Sequence, residues 1–410
     1  MVTPLPTAEG LIALENTFGA HNYHPLGIVA ASAEGAWVTD VNGKRYLDFL
    51  SAYSALNFGH RHPALVAAAH EALDTLTLTS RAMMNAQLGP FLADLCRLTA
   101  LEMALPMNTG AEAVETAIKT ARKWGYDVKG VAPGAAKVVV CTNNFHGRTT
   151  TIVSFSSDPA ARDGFGPFTP GFLTVPYGDI EALAEVLASD PGIVGFLVEP
   201  IQGEAGIIVP PAGYLREARE LCTAHDVLLI ADEIQSGFGR TGTTFACEHE
   251  GVRPDMYCLG KALGGGIVAL SAVVSRRDVL GVLGPGTHGS TFGGNPLACA
   301  IGRAVIALAN TGEYQARSTE LGAHMLARLR VEAPPIVSQV RGIGLWAGVE
   351  LVVEADPARG FCERLLARGL IVKDTHATTL RLAPPLVIER SDLDHALDTI
   401  LEVLSEGALG

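Results

Sequence analysis

The sequence predicts an α/β protein: a large domain with a mostly parallel central sheet flanked by helices, plus a smaller α+β domain. Two observations carry this. Short, uninterrupted apolar runs alternate with longer helical patterns through the middle of the chain, and strands buried on both faces of a helix-covered sheet look like this. After residue 310 the rhythm changes to Gly-punctuated strands between amphipathic helices. At roughly 150 residues per domain, 410 residues suit two or three units. The expected division is an N-terminal segment, 1–45, packing with the small domain; a large domain, 46–310; and a small domain, 311–410.

In chain order, the strand candidates are Lys137–Cys141 (KVVVC), residues 195–198 (GFLV), residues 227–231 (VLLIA), Met256–Leu259 and Ser271–Ser275 (SAVVS). Helical spacing fills 111–124, 180–188, 213–225 and 295–309. In the tail, 314–329 reads as a helix, 340–353 as strands, 360–368 as a helix, Thr379–Leu382 as a strand and 391–406 as a final amphipathic helix.

Composition removes several functions. A net charge of −13 lacks the basic footprint of a nucleic-acid binder. No stretch approaches eighteen uninterrupted apolar residues, so no membrane span is expected. The first twenty residues hold no Lys or Arg, so a signal peptide is not expected. The seven cysteines form no C-x-x-C pair and read as reduced thiols of a cytoplasmic protein. Only 18% of residues are charged, which predicts an oligomer with a large buried interface.

Two motifs are decoys. Gly237 to Gly242 matches G-x-G-x-x-G, but an Asp-Glu pair separates it from the preceding strand and no helix follows. Gly260-Lys261 is followed by Ala262, where a P-loop needs Ser or Thr. No metal site is expected, since neither His21 and His24 nor His60 and His62 have a completing ligand pattern.

The informative pair is Asp232 and Lys261. Asp232 ends one buried strand, where ligands bind in α/β sheets. Lys261 follows the next strand, so the two converge on one pocket. Near them belongs an anion site: Gly110 allows a sharp turn, and the helix from Ala111 presents free N–H groups and a positive dipole end. Ser290 and Thr291 offer hydroxyls for the same anion.

Phosphate cradle, strand-end acid and later lysine together resemble a fold type I pyridoxal-phosphate (PLP) enzyme. More narrowly, the chain is similar to class III aminotransferases, and within them to the ornithine δ-aminotransferase group. The similarity runs through Phe18 to Pro25, Leu76 to Ala82, Leu105 to Glu112, Asn144 to Thr149, Glu199 to Gly206, Ala231 to Gln235, Leu259 to Leu263, His288 to Pro296 and Arg381 to Pro385. It implies that Lys261 bonds the cofactor and shuttles a proton, and that Asp232 pairs with the ring nitrogen. Gln235 would bond the ring hydroxyl, and Phe145 and Ile234 would pack its two faces. Gly110 and Ala111 would hold the phosphate, with Ser290 and Thr291 from the neighbouring subunit, making a homodimer the catalytic unit.

Ornithine and 2-oxoglutarate must share one pocket, and the resemblance implies how. Arg148 grips the remote carboxylate of each, Tyr23 reads ornithine's α-amine, and Tyr53 lies near the reacting end. Arg381 receives the near carboxylate of 2-oxoglutarate and is masked by Glu204 when ornithine binds. Departures from the relatives occur at Phe58, Met83, Met84, Val268, Ala269 and Leu382, and they bear on substrate range. The competing readings are a related ω-aminotransferase acting on lysine, acetylornithine or another diamine; a racemase on the same fold; and a PLP-fold binding protein without activity. Tyr23 argues against acetylornithine, whose acylated nitrogen offers no amine.

Overall fold

The computed structural model describes residues 7–352 and 358–407. Strands β1 (Ala30–Glu34), β2 (Trp37–Asp40) and β3 (Arg45–Asp48) come first. The central sheet takes β4 (Met103–Met107), β5 (Lys137–Cys141), β6 (Phe172–Val175), β7 (Ile193–Val198), β8 (Leu228–Asp232), β9 (Met256–Leu259) and β10 (Ser271–Ser275). The tail adds β11 (Val337–Gly342), β12 (Ala347–Leu351), β13 (Leu370–Ile371), β14 (Lys373–Thr375) and β15 (Thr379–Leu382).

The central sheet runs in the order β4-β10-β9-β8-β7-β5-β6. From β9 to β6 all neighbours are parallel, while β10 is antiparallel to both of its partners. Alternation of side chains divides the core. Val138 and Val140 pack in one cluster with Ala117 and Ile118 of the helix Gly110–Trp124. Val139 and Cys141 belong to the other, with Leu215 and Ala218 of the helix Tyr214–Ala224. With both faces covered, β7, β8, β9 and β10 are buried at every position. The chain leaves β5 outward to β6 and returns on the other side as β7. Such a reversal opens a crevice at the carboxyl ends of the strands.

The N-terminal sheet has the order β1-β2-β3-β13, with β13 parallel to β3. The tail sheet, β11-β12-β15-β14, is antiparallel throughout. The helices Glu313–Glu332 and Arg390–Gly407 flank this region. The strand signal over 340–353 resolves into β11 and β12; its last residue, Val353, lies outside the described residues.

Two features fasten these parts. Arg240, from the glycine-rich loop 237–242, is fully buried. It donates to the carbonyls of Leu345 (2.9 Å) and Pro384 (2.7 Å) and to Asn57 Oδ1 (2.6 and 3.2 Å). The second feature is the turn Ser51–Ser54, whose four φ angles are 48°, 45°, 59° and 71°. Left-handed helical backbone costs an L-residue about 1–2 kcal/mol, and no glycine relieves it here. Offsetting bonds come from Asp48 Oδ1, which accepts the N–H groups of Leu50 and Ser51, both at 2.8 Å. Ser51 Oγ donates to the Ala383 carbonyl at 2.6 Å, and Ala383 N–H donates to the Phe49 carbonyl at 2.8 Å.

Candidate active site

The carboxyl ends of the parallel strands surround a cavity of about 200 Å³. Gly110, Ala111, Phe145, Asp232, Ile234, Gln235 and Lys261 all line it, with His146, Gly147, Glu199, Ile201 and Ser236.

The helix Gly110–Trp124 opens the anion end. Thr109 and Glu112 form a capping box: Thr109 Oγ1 accepts Glu112 N–H at 3.2 Å, and Glu112 Oε2 accepts Thr109 N–H at 2.7 Å. The N–H groups of Gly110 and Ala111 are left without a protein acceptor among the described residues. A side chain at Gly110 would press on Ile234, whose Cδ1 lies 3.1 Å from where a Cβ would sit. Ser290 Oγ accepts from Asn108 Nδ2 at 2.8 Å within the same chain, so it stands beside this helix end without lining the cavity. Thr291 is exposed.

Asp232 is held from two sides. Its Oδ1 accepts Ile234 N–H at 3.1 Å, and its Oδ2 lies 2.6 Å from His146 Nδ1. Burial pulls the His146 ring toward neutrality, but the bond and charge of Asp232 together outweigh this and raise its pKa. Glu199, one residue past β7, occupies the place on its strand that Asp232 occupies on β8. It accepts Phe145 N–H at 3.0 Å. Burial lifts its carboxyl to about 7. Neither His146 nor Glu199 was singled out from the sequence as a site residue. Glu199 could have been found by the rule that picked Asp232, an acid just after a buried apolar run.

Lys261 follows β9 with its backbone at φ 44°, a left-handed conformation that an L-residue adopts at a cost and that clusters at functional sites. Its amine makes no hydrogen bond or ion pair among the described residues. Burial lowers its pKa, and Arg381 adds to this against the opposing pull of Glu204 and Asp232. The lysine is thereby shifted toward the neutral, nucleophilic form.

Within electrostatic reach of Lys261, Arg381 on β15 is fully buried and forms a two-pronged pair with Glu204: Nη1 to Oε1 and Nη2 to Oε2, both 2.9 Å. Nη2 also donates to the Gly203 carbonyl at 3.3 Å. The Tyr53 ring covers the guanidinium at 5.1 Å. Burial raises the Glu204 pKa, but the charge and hydrogen bonds of Arg381 reverse this and hold it below the usual carboxylate value. Tyr23 is exposed, and its hydroxyl lies within electrostatic reach of Tyr53. Arg148 is exposed above the Phe145 ring at 5.8 Å and lines a neighbouring apolar recess with Val153 and Phe165. The structure thus gathers Glu204 and Tyr53 around Arg381 and leaves Tyr23 and Arg148 exposed. Among the described residues, no group of three or more His, Cys, Asp or Glu could hold a metal ion.

A sheet of this order, with an acid and a lysine at adjacent strand ends, is the frame of a fold type I enzyme, and the chain belongs to the class III aminotransferases, whose pattern matches residues 18–404. Among its relatives, the ornithine aminotransferase of Brevibacillus brevis is 55% identical over 96% of this chain and 98% of its own. That of Bordetella pertussis is 53% identical over 99% and 98%. The ornithine aminotransferase of Toxoplasma gondii, crystallised with oxidised glutathione and partial PLP occupancy at its active site, superposes with a TM-score of 0.97. It shares 42% identity over 98% of this chain and 95% of that one. An acetylornithine aminotransferase from Elizabethkingia anophelis gives 0.89, with 45% identity over 98% and 100%.

The family is PLP-dependent, and the residues present fit that cofactor. Among the described residues, Gln235 Nε2 is buried with no hydrogen-bond partner, a donor suited to a ligand's acceptor. A Cβ at Gly203 would lie 2.3 Å from Gln235 Oε1 and 2.7 Å from Trp346 Cζ2, so the glycine leaves this amide the room it occupies. Two free helix N–H groups suit a phosphate, Asp232 suits a protonated ring nitrogen, and Lys261 supplies the amine.

Proposed function

We propose that the chain moves the terminal amino group of L-ornithine to 2-oxoglutarate, giving glutamate and glutamate 5-semialdehyde, which cyclises to pyrroline-5-carboxylate. The observation that carries this reading is the Glu204–Arg381 pair. An enzyme that takes an ω-amine in one half-reaction and an α-keto acid in the other needs a carboxylate receptor that can be cancelled. Paired, Arg381 is neutral in sum, and a methylene chain can lie beside it. Released, it offers a planar fork to the carboxylate next to the reacting carbon. Near-full-length relatives named ornithine aminotransferase support the same reading.

When bound, PLP supplies an electron sink and stores the amino group between half-reactions. Gly110 and Ala111 hold its phosphate, Asp232 its ring nitrogen and Gln235 its ring hydroxyl, while Phe145 and Ile234 enclose its faces. Asp232 would accept a hydrogen bond from a protonated ring nitrogen, and His146, 2.6 Å from its Oδ2, would hold the carboxyl in place. Lys261 carries the proton that changes places during transfer. Arg148 binds the remote carboxylate of either substrate, and Tyr23 accepts or donates toward ornithine's α-amine. In this reading a homodimer in the cytoplasm is the working unit, with Ser290 and Thr291 completing the partner's phosphate site. The exposed Met84, Phe292 and Leu73 support an interface, and the seven free cysteines a reducing compartment.

The likeness to the Elizabethkingia acetylornithine aminotransferase gives a second reading, acetylornithine as donor. A donor panel with 2-oxoglutarate, scored by glutamate formation, decides between them. Ornithine should lead; acetylornithine leading, or equal rates for all ω-amines, overturns the proposal. Borohydride treatment of the loaded enzyme should attach the cofactor to the peptide holding Lys261, and a label elsewhere would remove its assignment.

A further inference from the structure

We infer that the left-handed turn Ser51–Ser54 is a positioning device for the carboxylate receptor, and that Asp48 is the residue that sets it. The inference rests on the proposed role of Arg381. When Glu204 releases Arg381, a long side chain that has lost its ion-pair partner needs something else to keep its fork aimed. Tyr53 is that partner: an aromatic face attracts the guanidinium without occupying the in-plane donors that a carboxylate needs. Its ring lies over Arg381 at 5.1 Å while Glu204 meets the fork from the edge.

Ordinary backbone does not place Tyr53 there. Four consecutive L-residues stand at positive φ, and Tyr53 is the third of them. Strain of this kind persists only where the surroundings over-determine it, and here they do. Asp48 Oδ1 accepts two successive N–H groups at the entry of the turn, and Asp48 Oδ2 is fixed by His60 Nε2 at 2.8 Å. Ser51 Oγ ties the turn to the carbonyl of Ala383, two residues beyond Arg381. The Phe49 carbonyl accepts the Ala383 N–H, and the Asn57 carbonyl accepts the Leu386 N–H at 2.8 Å. The segment carrying Tyr53 and the segment carrying Arg381 are therefore stitched at both ends of the turn. Asp48, His60 and Ser51 are not among the residues that line the cavity; they act through Tyr53.

The test uses the holoenzyme. Asp48→Ala removes the acceptor, Asp48→Asn keeps an oxygen for both N–H groups, and Ser51→Ala cuts only the tie to Ala383. Single-turnover rates against concentration are measured for ornithine and for 2-oxoglutarate. Binding of glutarate, an unreactive dicarboxylate of the same length, is measured by calorimetry. Asp48→Ala should weaken 2-oxoglutarate and glutarate at least fivefold more than it weakens ornithine. Asp48→Asn should recover to within about twofold of wild type, and Ser51→Ala should shift two- to fivefold in the same direction. A loss shared equally by both half-reactions, or an Asn variant no better than Ala, overturns the inference. If Asp48→Ala fails to fold, Ser51→Ala with the Asn variant decides alone. The Glu204→Ala background separates the two ideas. If glutarate affinity there does not rise above wild type, the switch reading fails. If it rises and adding Ser51→Ala leaves it unchanged, the turn has no part in holding Arg381.

Discussion

Removing Glu204 is the perturbation that most sharply probes how one pocket serves two substrates. In Glu204→Ala the fork of Arg381 loses both charge-assisted bonds, each 2.9 Å long. Such bonds net about 1.5–3 kcal/mol each, and with Glu204 28% exposed and the pair non-additive the two together amount to about the value of one. A substrate carboxylate entering the wild-type site must first displace Glu204, so its removal should return a similar amount to glutamate. At 1.4 kcal/mol per decade, that is roughly a ten- to hundredfold gain in the glutamate half-reaction at low concentration. Ornithine should gain nothing, and should tend to present its α-amine, since its own carboxylate can now take the near position. The cost in stability is bounded from the same contacts. Breaking a fully buried pair costs about 3–5 kcal/mol, but the Glu204 side chain is 28% exposed and Arg381 keeps the Gly203 carbonyl and the Tyr53 ring. The melting temperature should therefore fall by only a few degrees. Single-turnover kinetics with glutamate and with ornithine, beside a thermal melt, check all of this. Parallel losses on both substrates with a large drop in melting temperature would refute the reasoning and make the pair a structural bridge.

Three further outcomes are expected. Tyr23→Phe should weaken ornithine roughly three- to tenfold more than 5-aminopentanoate, which lacks the α-amine, since a lost hydrogen bond nets about 0.5–1.5 kcal/mol; equal losses in steady-state KM would place Tyr23 elsewhere. Glu199 binds its proton more tightly folded than unfolded, so its contribution to stability is present below pH 4.5 and is lost as pH rises toward about 7. Wild-type apoenzyme should then lose stability relative to Glu199→Gln across that window, by on the order of 3 kcal/mol, and parallel melting curves from pH 4.5 to 7 would contradict it. Gly203→Ala should displace Gln235 and lower PLP affinity at least tenfold in equilibrium dialysis, given the 2.3 Å approach its Cβ would make; unchanged affinity would show that Gln235 does not touch the cofactor.

The strands that were legible are those whose burial writes itself as an unbroken apolar run. β5, β9 and β10 have the bounds their sequences suggest, because nearly all their positions are buried; β15 (TLRL) has its expected bounds too, although Arg381 interrupts its apolar residues. What stayed hidden depends on partners far along the chain. β4 (MALPM) carries Pro106 and β6 (FLTV) is half-exposed, so neither shows a continuous run. Nothing in SAVVS says that β10 runs antiparallel; direction is set by where the chain enters. The turn at Ser51–Ser54 contains no glycine to betray its positive φ angles, and Asp48 and Ala383 hold it from both sides. In the pocket, Asp232 and Lys261 stood out by strand-end position, whereas His146 shows its relation to Asp232 only when β5 and β8 are brought together. The place of Tyr53 over Arg381 likewise needs two segments more than 300 residues apart.

Arg240 has a consequence for anyone who would recombine this protein with its relatives. Its acceptors in the tail, at Leu345 and Pro384, are main-chain carbonyls, so side chains there are free to drift without breaking the bonds. A foreign C-terminal module could therefore be grafted after residue 310, provided its backbone brings two carbonyl oxygens to the same points, keeps glycine at 344, where a Cβ would lie 2.6 Å from the Arg240 carbonyl, and supplies an arginine at 381. The partner that cannot be exchanged in isolation is Asn57, whose side-chain oxygen takes the other arm of the guanidinium. Chimeras that preserve Asn57 and Arg240 together should accept diverse tails, while those that split them would bury a cation with half its donors idle.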